Sequence, residues 1–265
     1  MCSFRSLLGW ITRLPDAELK NRGCHTSILS LVSHDNGATI LEVIVCSVAD
    51  AIEAAKGGAD RLEVVRELDR RGLTPSLETV KAIKHAVDLP LRVMVRESDD
   101  FGVSGETEVR KLCHAAEEFA NLRVDGVVLG FLKNDEINLD LTARVLAVAP
   151  EMKATFHHAF EDAVDQLSAV DELKSIGQID RILSSGGPGA LNERTRRLNA
   201  YAHATAPEIQ VIAGGGIDAD AIALLKSTTV IREFHVGRAA RRGYQVAGEV
   251  QADLVQTLVR AMRAI

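Results

Sequence analysis

The chain has 265 residues, 46% of them hydrophobic and 26% charged, and a net charge of −6. That suits one large α/β domain of ordinary soluble composition. The mild acidity, without a long run of one sign, argues against a nucleic-acid partner, whose binding face is normally basic. No apolar stretch is long enough for a transmembrane helix, so no membrane partner is expected either.

The N-terminal segment 1–37 differs from the rest. Its short apolar run, "LLGWIT", is broken by Arg13 and no small-residue cleavage site follows, so it does not read as a signal peptide. "HDNGAT" is a turn-rich linker. The segment reads as an N-terminal extension, ordered or disordered, or as the product of a misassigned start codon. Residues 38–265 form the expected domain.

From residue 40 aliphatic runs alternate with amphipathic stretches, the pattern of βα units around a parallel sheet. Strands are predicted at 40–45, 61–65, 91–96, 125–130, 153–158, 180–185, 209–214 and 232–237. Helices are predicted near 48–56, 76–87, 106–120, 139–148, 162–175, 190–204, 219–226 and 249–263. Eight such units in about 225 residues is the size of a (β/α)8 TIM barrel. "GGADRLEV", "RVDGVVLG" and "GQIDRILS" echo one another on even strands, as a barrel with layers drawn from alternate strands would favour. A doubly wound sheet is the alternative, but "VCSVAD" after the first strand lacks the glycines of a dinucleotide turn.

Strand side chains alternate between faces. With Leu62 and Val64 toward the helices, Glu63 points into the barrel, and the same alternation turns Glu42, Arg96, His157, Glu233 and His235 inward. In "FHHAF" the two adjacent histidines then diverge, which excludes a simple His-His chelate. Barrel interiors are mainly branched aliphatics, and an unpaired buried charge costs several kcal/mol. These groups therefore form either a structural ion network or a polar site at the C-terminal mouth. As site residues Glu42, Glu63, His157 and His235 supply acid/base groups, and Arg96 a guanidinium for a carboxylate or carbonyl.

Two glycine-rich turns close the barrel, "AGGGID" and "HVGRAARR", with "SSGGPG" beside them. Gly215, Gly216, Gly237 and Arg238, joined by Ser185 and Gly186, are candidates for an anion or phosphate site, since backbone N–H groups cradle anions in such turns. The four cysteines lack CxxC spacing and fit reduced thiols in the cytosol. Cys46 is the one metal-ligand candidate among them, and a lone thiol among aliphatics is more often a packed side chain.

Taken together, "LEV" at 41–43, "GGADRLEV" at 57–64, "GLTPS" at 72–76, "VMVR" at 93–96, "FHHAF" at 156–160, "DRILSSG" at 180–186, "GGG" at 214–216 and "REFH" at 232–235 resemble the CutC family. The resemblance implies a cytoplasmic TIM barrel linked by name to copper homeostasis and copper ion binding. The family often carries cysteines where this sequence has Ile44 and Val65, and copper is thus implied by the family alone. Ser98 replaces a family arginine, His158 another, and Glu161 a family aspartate.

The expected partner is a small molecule or a metal, and the chain is open to forming a homo-oligomer. Four functions stay open. One is a copper-handling protein. Another is an isomerase-, aldolase- or lyase-type enzyme acting on a small anionic or phosphorylated metabolite. The third is a zinc or manganese site on Glu42, Glu63, His157 and His235, and the fourth a purely structural role.

Overall fold

The computed structural model describes residues 38–264; the expected extension 1–37, with Cys2 and Cys24, lies outside the described residues. Eight parallel strands close into a barrel, each followed by a helix: β1 (Ile40–Val45), α1 (Val48–Gly57), β2 (Arg61–Val64), α2 (Leu77–Ala86), β3 (Leu91–Met94), α3 (Glu106–Asn121), β4 (Gly126–Leu129) and α4 (Leu139–Ala147). The second half comprises β5 (Lys153–Phe156), α5 (Gln166–Lys174), β6 (Ile179–Ser184), α6 (Leu191–Thr205), β7 (Gln210–Ala213), α7 (Ala219–Thr228), β8 (Glu233–Val236) and α8 (Ala252–Arg263). β1 pairs with both β2 and β8, which closes the ring. The expected (β/α)8 barrel is the observed fold.

The strands are built of β-branched and aliphatic residues whose alternate side chains meet the helices. Leu41, Val43, Val45, Leu62, Val64 and Val93 are all fully buried in the main core. Each such side chain contributes about 1.5–3 kcal/mol relative to exposure. Side-chain caps start several helices: Ser47 accepts from the Asp50 N–H and Asp218 from the Ala221 N–H.

Two local differences from the sequence reading have plain causes. Leu132–Lys133 and Glu136–Ile137 form a small antiparallel hairpin after β4, turning at Asn134 and Asp135 with φ of 54° and 61°. Asn and Asp tolerate that left-handed conformation. Helix α5 starts at Gln166 rather than near 162, because Asp165 accepts from the N–H groups of Leu167 and Ser168 and His158–Asp162 forms a separate 3-10 turn.

The opposite strand faces fill the barrel in two zones. At the N-terminal end lies an ion network. Arg61 donates to Glu42 and, through Nη2, to Glu233 at 2.6 Å; Arg181 Nε donates to the same Glu233 oxygen at 2.8 Å. Arg92 holds Asp180 through both Nη atoms and Asp125 through Nε. A Cβ on Gly126 would lie 2.6 Å from Arg92 Nη1, so this strand position must be bare for the guanidinium to cross it. The repeated aspartates of the even strands are thus structural. Asp125 and Asp180 anchor Arg92, and Asp60 accepts the Leu41 N–H at 2.9 Å. Toward the C-terminal end, Val65, Met94 and Val128 cluster with Ile44, Cys46 and Leu68.

Candidate functional site

Above that aliphatic cluster the barrel opens into a cavity of about 630 Å³ at the C-terminal ends of the strands. The size suits a small organic ligand. Glu63, His157, His235, Arg71 and Arg238 line it, with Gly215 and Gly216 at one side.

β1, β2 and β8 bring three titratable groups into one line. His235 Nδ1 donates to Glu42 Oε1 at 2.7 Å, and His235 Nε2 faces Glu63 Oε2 at 3.5 Å. Glu42 is 1% exposed, lies below the histidine and does not line the cavity. Burial alone would raise its pKa, but the Arg61 charge and the His235 hydrogen bond overcome this and hold Glu42 ionised. Burial pushes Glu63 up to about 7, with the neighbouring Glu42 charge adding to it and His235 opposing. His235 is itself raised: its burial is outweighed by the two glutamates. Glu63 Oε1 is buried without a hydrogen-bond partner among the described residues. A carboxyl group that is half protonated near neutral pH suits proton transfer in either direction.

His157 sits across the mouth, at the end of β5. Its Nδ1 accepts the Ala159 N–H at 3.2 Å, which places the ring hydrogen on Nε2. That Nε2 is buried and unpartnered among the described residues, on a residue that lines the cavity. Burial, then the charges of Arg96 and His158, holds its pKa well below the usual imidazole value. His157 is therefore a neutral N–H donor at neutral pH, suited to polarising a substrate oxygen rather than to taking its proton. His158 meets Glu161 Oε1 at 3.2 Å and, contrary to the expected divergence, lines the same cavity as His157.

Arg96 faces inward as expected, but its contacts are largely internal. Nη1 donates to the main-chain carbonyls of Arg70, Arg71 and Gly72 at 3.1–3.4 Å, and Nη2 to that of Asp99. Phe101 lies against it with the guanidinium 5.2 Å from the ring centre, and the same ring is 5.0 Å from His157. Arg96 thus ties two mouth loops together, and of its nitrogens only Nε lacks a partner.

The glycine turns divide into two groups. The turn after β6 is already filled: Glu161 accepts from Ser184 Oγ at 2.9 Å and from Ser185 through both N–H and Oγ. Burial would raise the Glu161 pKa, yet His158 and these donors bring it down to about 2. Gly186 donates to Ser184 Oγ at 3.0 Å. Ser185 and Gly186 therefore have internal partners. The turns after β7 and β8 are open. Gly215 and Gly216 adopt φ of 70° and 77°, which glycine reaches without strain. Arg194 fixes them by donating to the Gly215 carbonyl at 2.6 Å. Gly237 and Arg238 line the cavity beside them, and Arg238 has no carboxylate partner among the described residues. Glu161, Arg194, Phe101 and Arg71 were not among the sequence candidates, because each reaches the mouth from a loop or helix with no motif of its own. For Glu161 the available signal was its place just after "FHHAF".

The metal candidates are not assembled. Cys46 packs with Ile44, Val65 and Met94, and burial raises its thiol pKa. Its side chain has Arg241 Nη2 as a polar neighbour at 3.8 Å. Cu(I) favours several thiolates, and this lone protonated thiol among aliphatic side chains does not fit it. Nor do Glu42, Glu63, His157 and His235 converge on a point. Both His235 nitrogens face glutamates and His157 lies across the mouth, and no cluster of three or more donors occurs among the described residues.

Comparison with known proteins agrees with the motifs. The CutC family model matches residues 39–240. A CutC family protein of Xylella fastidiosa is 31% identical over 236 residues, covering 84% of this chain and 88% of its own. A human protein named copper homeostasis protein cutC homolog is 32% identical over 207 residues, covering 77% and 74%. A crystal structure of a CutC protein from Streptococcus agalactiae superposes with a TM-score of 0.70 at 24% identity, covering 75% and 98%. Phosphoribosyl anthranilate isomerase from Thermococcus kodakaraensis, at 14% identity and a TM-score of 0.58, shares the barrel fold alone. With the family model spanning most of the barrel and these relatives covering three quarters or more of the chain, this protein belongs to the CutC family.

Proposed function

We propose that this CutC-family barrel binds a small anionic metabolite at its C-terminal mouth and moves a proton on it. The observation carrying this reading is that Glu63 and His157, which line one cavity, each hold a buried polar atom, Oε1 and Nε2, that has no hydrogen-bond partner among the described residues. An unsatisfied buried polar atom costs about 1–3 kcal/mol, so two on residues of one cavity lining favour a ligand that completes them. In the proposed step Glu63 removes a proton from a carbon beside a carbonyl group, whose developing negative oxygen accepts from His157 Nε2–H. Return of that proton from Glu63 to a neighbouring atom completes an isomerisation. Glu42 and His235 act as positioning residues that tune Glu63. Gly215, Gly216, Gly237 and Arg238 hold the anionic end of the ligand, a phosphate or carboxylate. The reading places the protein in a reducing compartment such as the cytosol, which suits its free Cys46 and Cys113.

Copper homeostasis belongs to the names of the human relative and of the Streptococcus agalactiae protein and is not carried over as the function of this chain. Its thiol donor set lacks the family's two strand cysteines, and Ile44 and Val65 take those places in an aliphatic cluster.

The test is hydrogen exchange on candidate substrates. Phosphorylated and carboxylated aldehydes and ketones are incubated with the protein in D2O and followed by proton NMR. Loss of a carbon-bound proton signal is expected for one of them, and Glu63→Gln abolishes it. Exchange that persists in Glu63→Gln removes Glu63 from the role, and no exchange across the panel counts against proton transfer.

A further inference from the structure

The loop between β2 and α2 holds a second cationic group against the cavity. It is closed by an antiparallel bridge between Arg66 and Leu73. Arg66 and Arg70 are engaged, Arg66 with Glu67 and Arg70 with Glu67 and Asp99. Arg71 is not: its side chain has no hydrogen bond or ion pair among the described residues, and it lines the cavity. Its backbone sits at φ 64°. A left-handed conformation costs a non-glycine residue about 1–3 kcal/mol and persists only where the surroundings impose it. Here the surroundings are identifiable. Arg96, 4% exposed, donates to the carbonyls of Arg70, Arg71 and Gly72 from inside the barrel. A buried arginine thus holds the loop in a strained shape that sets a second arginine at the mouth.

Arg238 stands on the loop after β8. β2 and β8 are the two neighbours of β1, so the loops that carry the two arginines flank the β1 end, which offers only the apolar Ile44 to the cavity. Three carboxylates line the cavity with them, and none forms an ion pair with either arginine: Glu161 is occupied by Ser184, Ser185 and His158, Glu63 faces His235, and Asp162 has no ion pair among the described residues.

We propose that Arg71 is a second anion anchor, so that the ligand carries two anionic groups, one at Arg238 and Gly216 and the other at Arg71, with its reactive carbon between them over Glu63. This rests on the anionic-metabolite reading above and narrows it to bis-anionic compounds, such as sugar bisphosphates or phosphorylated carboxylic acids. Two linked anions gain affinity only when their separation matches the two anchors.

Alkane bisphosphonates, from methylene to hexamethylene, serve as a ruler against inorganic phosphate, with binding read by calorimetry and thermal shift. One chain length should bind at least about tenfold tighter than phosphate. Arg71→Gln should remove that advantage while leaving phosphate binding at the Arg238 end in place; Arg238→Gln should weaken both. Arg71→Lys, which keeps the charge, should retain part of the advantage. If phosphate binds but no bisphosphonate exceeds it, or if Arg71→Gln keeps the advantage, the second anchor is refuted and the single-anion reading stands. If neither phosphate nor any bisphosphonate binds, both readings fall. Circular dichroism of the variants confirms that the fold is retained.

Discussion

Gly130 leaves the space that the His157 ring occupies: a Cβ built on Gly130 would lie 2.5 Å from His157 Nδ1. The glycine at the end of β4 therefore sets where the imidazole at the end of β5 can sit, and with the Ala159 N–H it determines which nitrogen faces the cavity. Gly130→Ala should displace the ring. The expected cost is about 1–3 kcal/mol, as for overpacked interiors, with loss of the proton exchange proposed above. Urea denaturation and NMR exchange measure the two effects; full activity with unchanged stability would contradict the placement of His157.

Glu63 makes stability depend on pH. Its folded pKa, about 7, lies above the ordinary 4.5. The folded state therefore binds the proton more tightly, and the associated stability is present below pH 4.5 and lost as pH rises toward 7. His235, also raised, acts in the same direction from its own ordinary value of 6.5 upward. Glu63→Gln should flatten the slope between pH 4.5 and 7 and gain up to about 3 kcal/mol over wild type at pH 8. Denaturation midpoints at several pH values check this; parallel curves for the two proteins would remove Glu63 as the source.

Glu161 predicts the opposite slope at acid pH. Its pKa is held down to about 2 by His158 and the Ser184–Ser185 donors, so its stabilisation is present above pH 4.5 and fades as pH falls toward 2. Glu161→Gln should lose stability at pH 7 and differ less from wild type near pH 3. It also leaves the Ser185 donors less strongly bound, so phosphate affinity at the mouth should rise, a change that calorimetry would read.

Arg61 joins Glu42 and Glu233 at the N-terminal end of the barrel. Arg61→Met leaves buried carboxylates short of a partner and should cost about 3–5 kcal/mol. Substituting Glu42 by Gln and Arg61 by Met together should recover part of that loss. Urea denaturation of the three variants measures the coupling, and additive losses would show that the pair is not a unit.

Cys46→Ser should leave Cu(I) affinity unchanged, because the thiol stands alone among aliphatic side chains. Competition with a Cu(I) chelator should find no site in the barrel tighter than about 1 μM, or about 8 kcal/mol. A tighter site lost in Cys46→Ser would restore copper handling as a function of this chain.

The fold was legible from residue types because it is periodic. Eight aliphatic runs alternating with amphipathic stretches leave few ways to bury both sheet faces, and the barrel is the one that leaves no sheet edge. Alternation along single strands also sufficed to turn Glu42, Glu63, His157 and His235 inward, since that needs only local geometry. It did not separate His158 from the mouth, because the strand ends at Phe156 and the 3-10 turn that follows keeps His158 on the cavity. Depth and partnership were not legible, because they depend on closure of the ring. β1 between β2 and β8 sets Glu42 beneath His235 and against Arg61, so it pairs there rather than reaching the cavity. Arg96, read as a ligand-binding group, is drawn to the carbonyls of a loop that no strand pattern predicts. Arg71, with no motif to mark it, comes to the mouth because that loop is held there. The chain's sequence by itself determined the barrel, its family and the inward-facing groups. Which of those groups neutralise one another and which stay open to a ligand was decided only by the contacts between distant strands and loops, because charges separate into structural and available sets according to neighbours far apart in sequence.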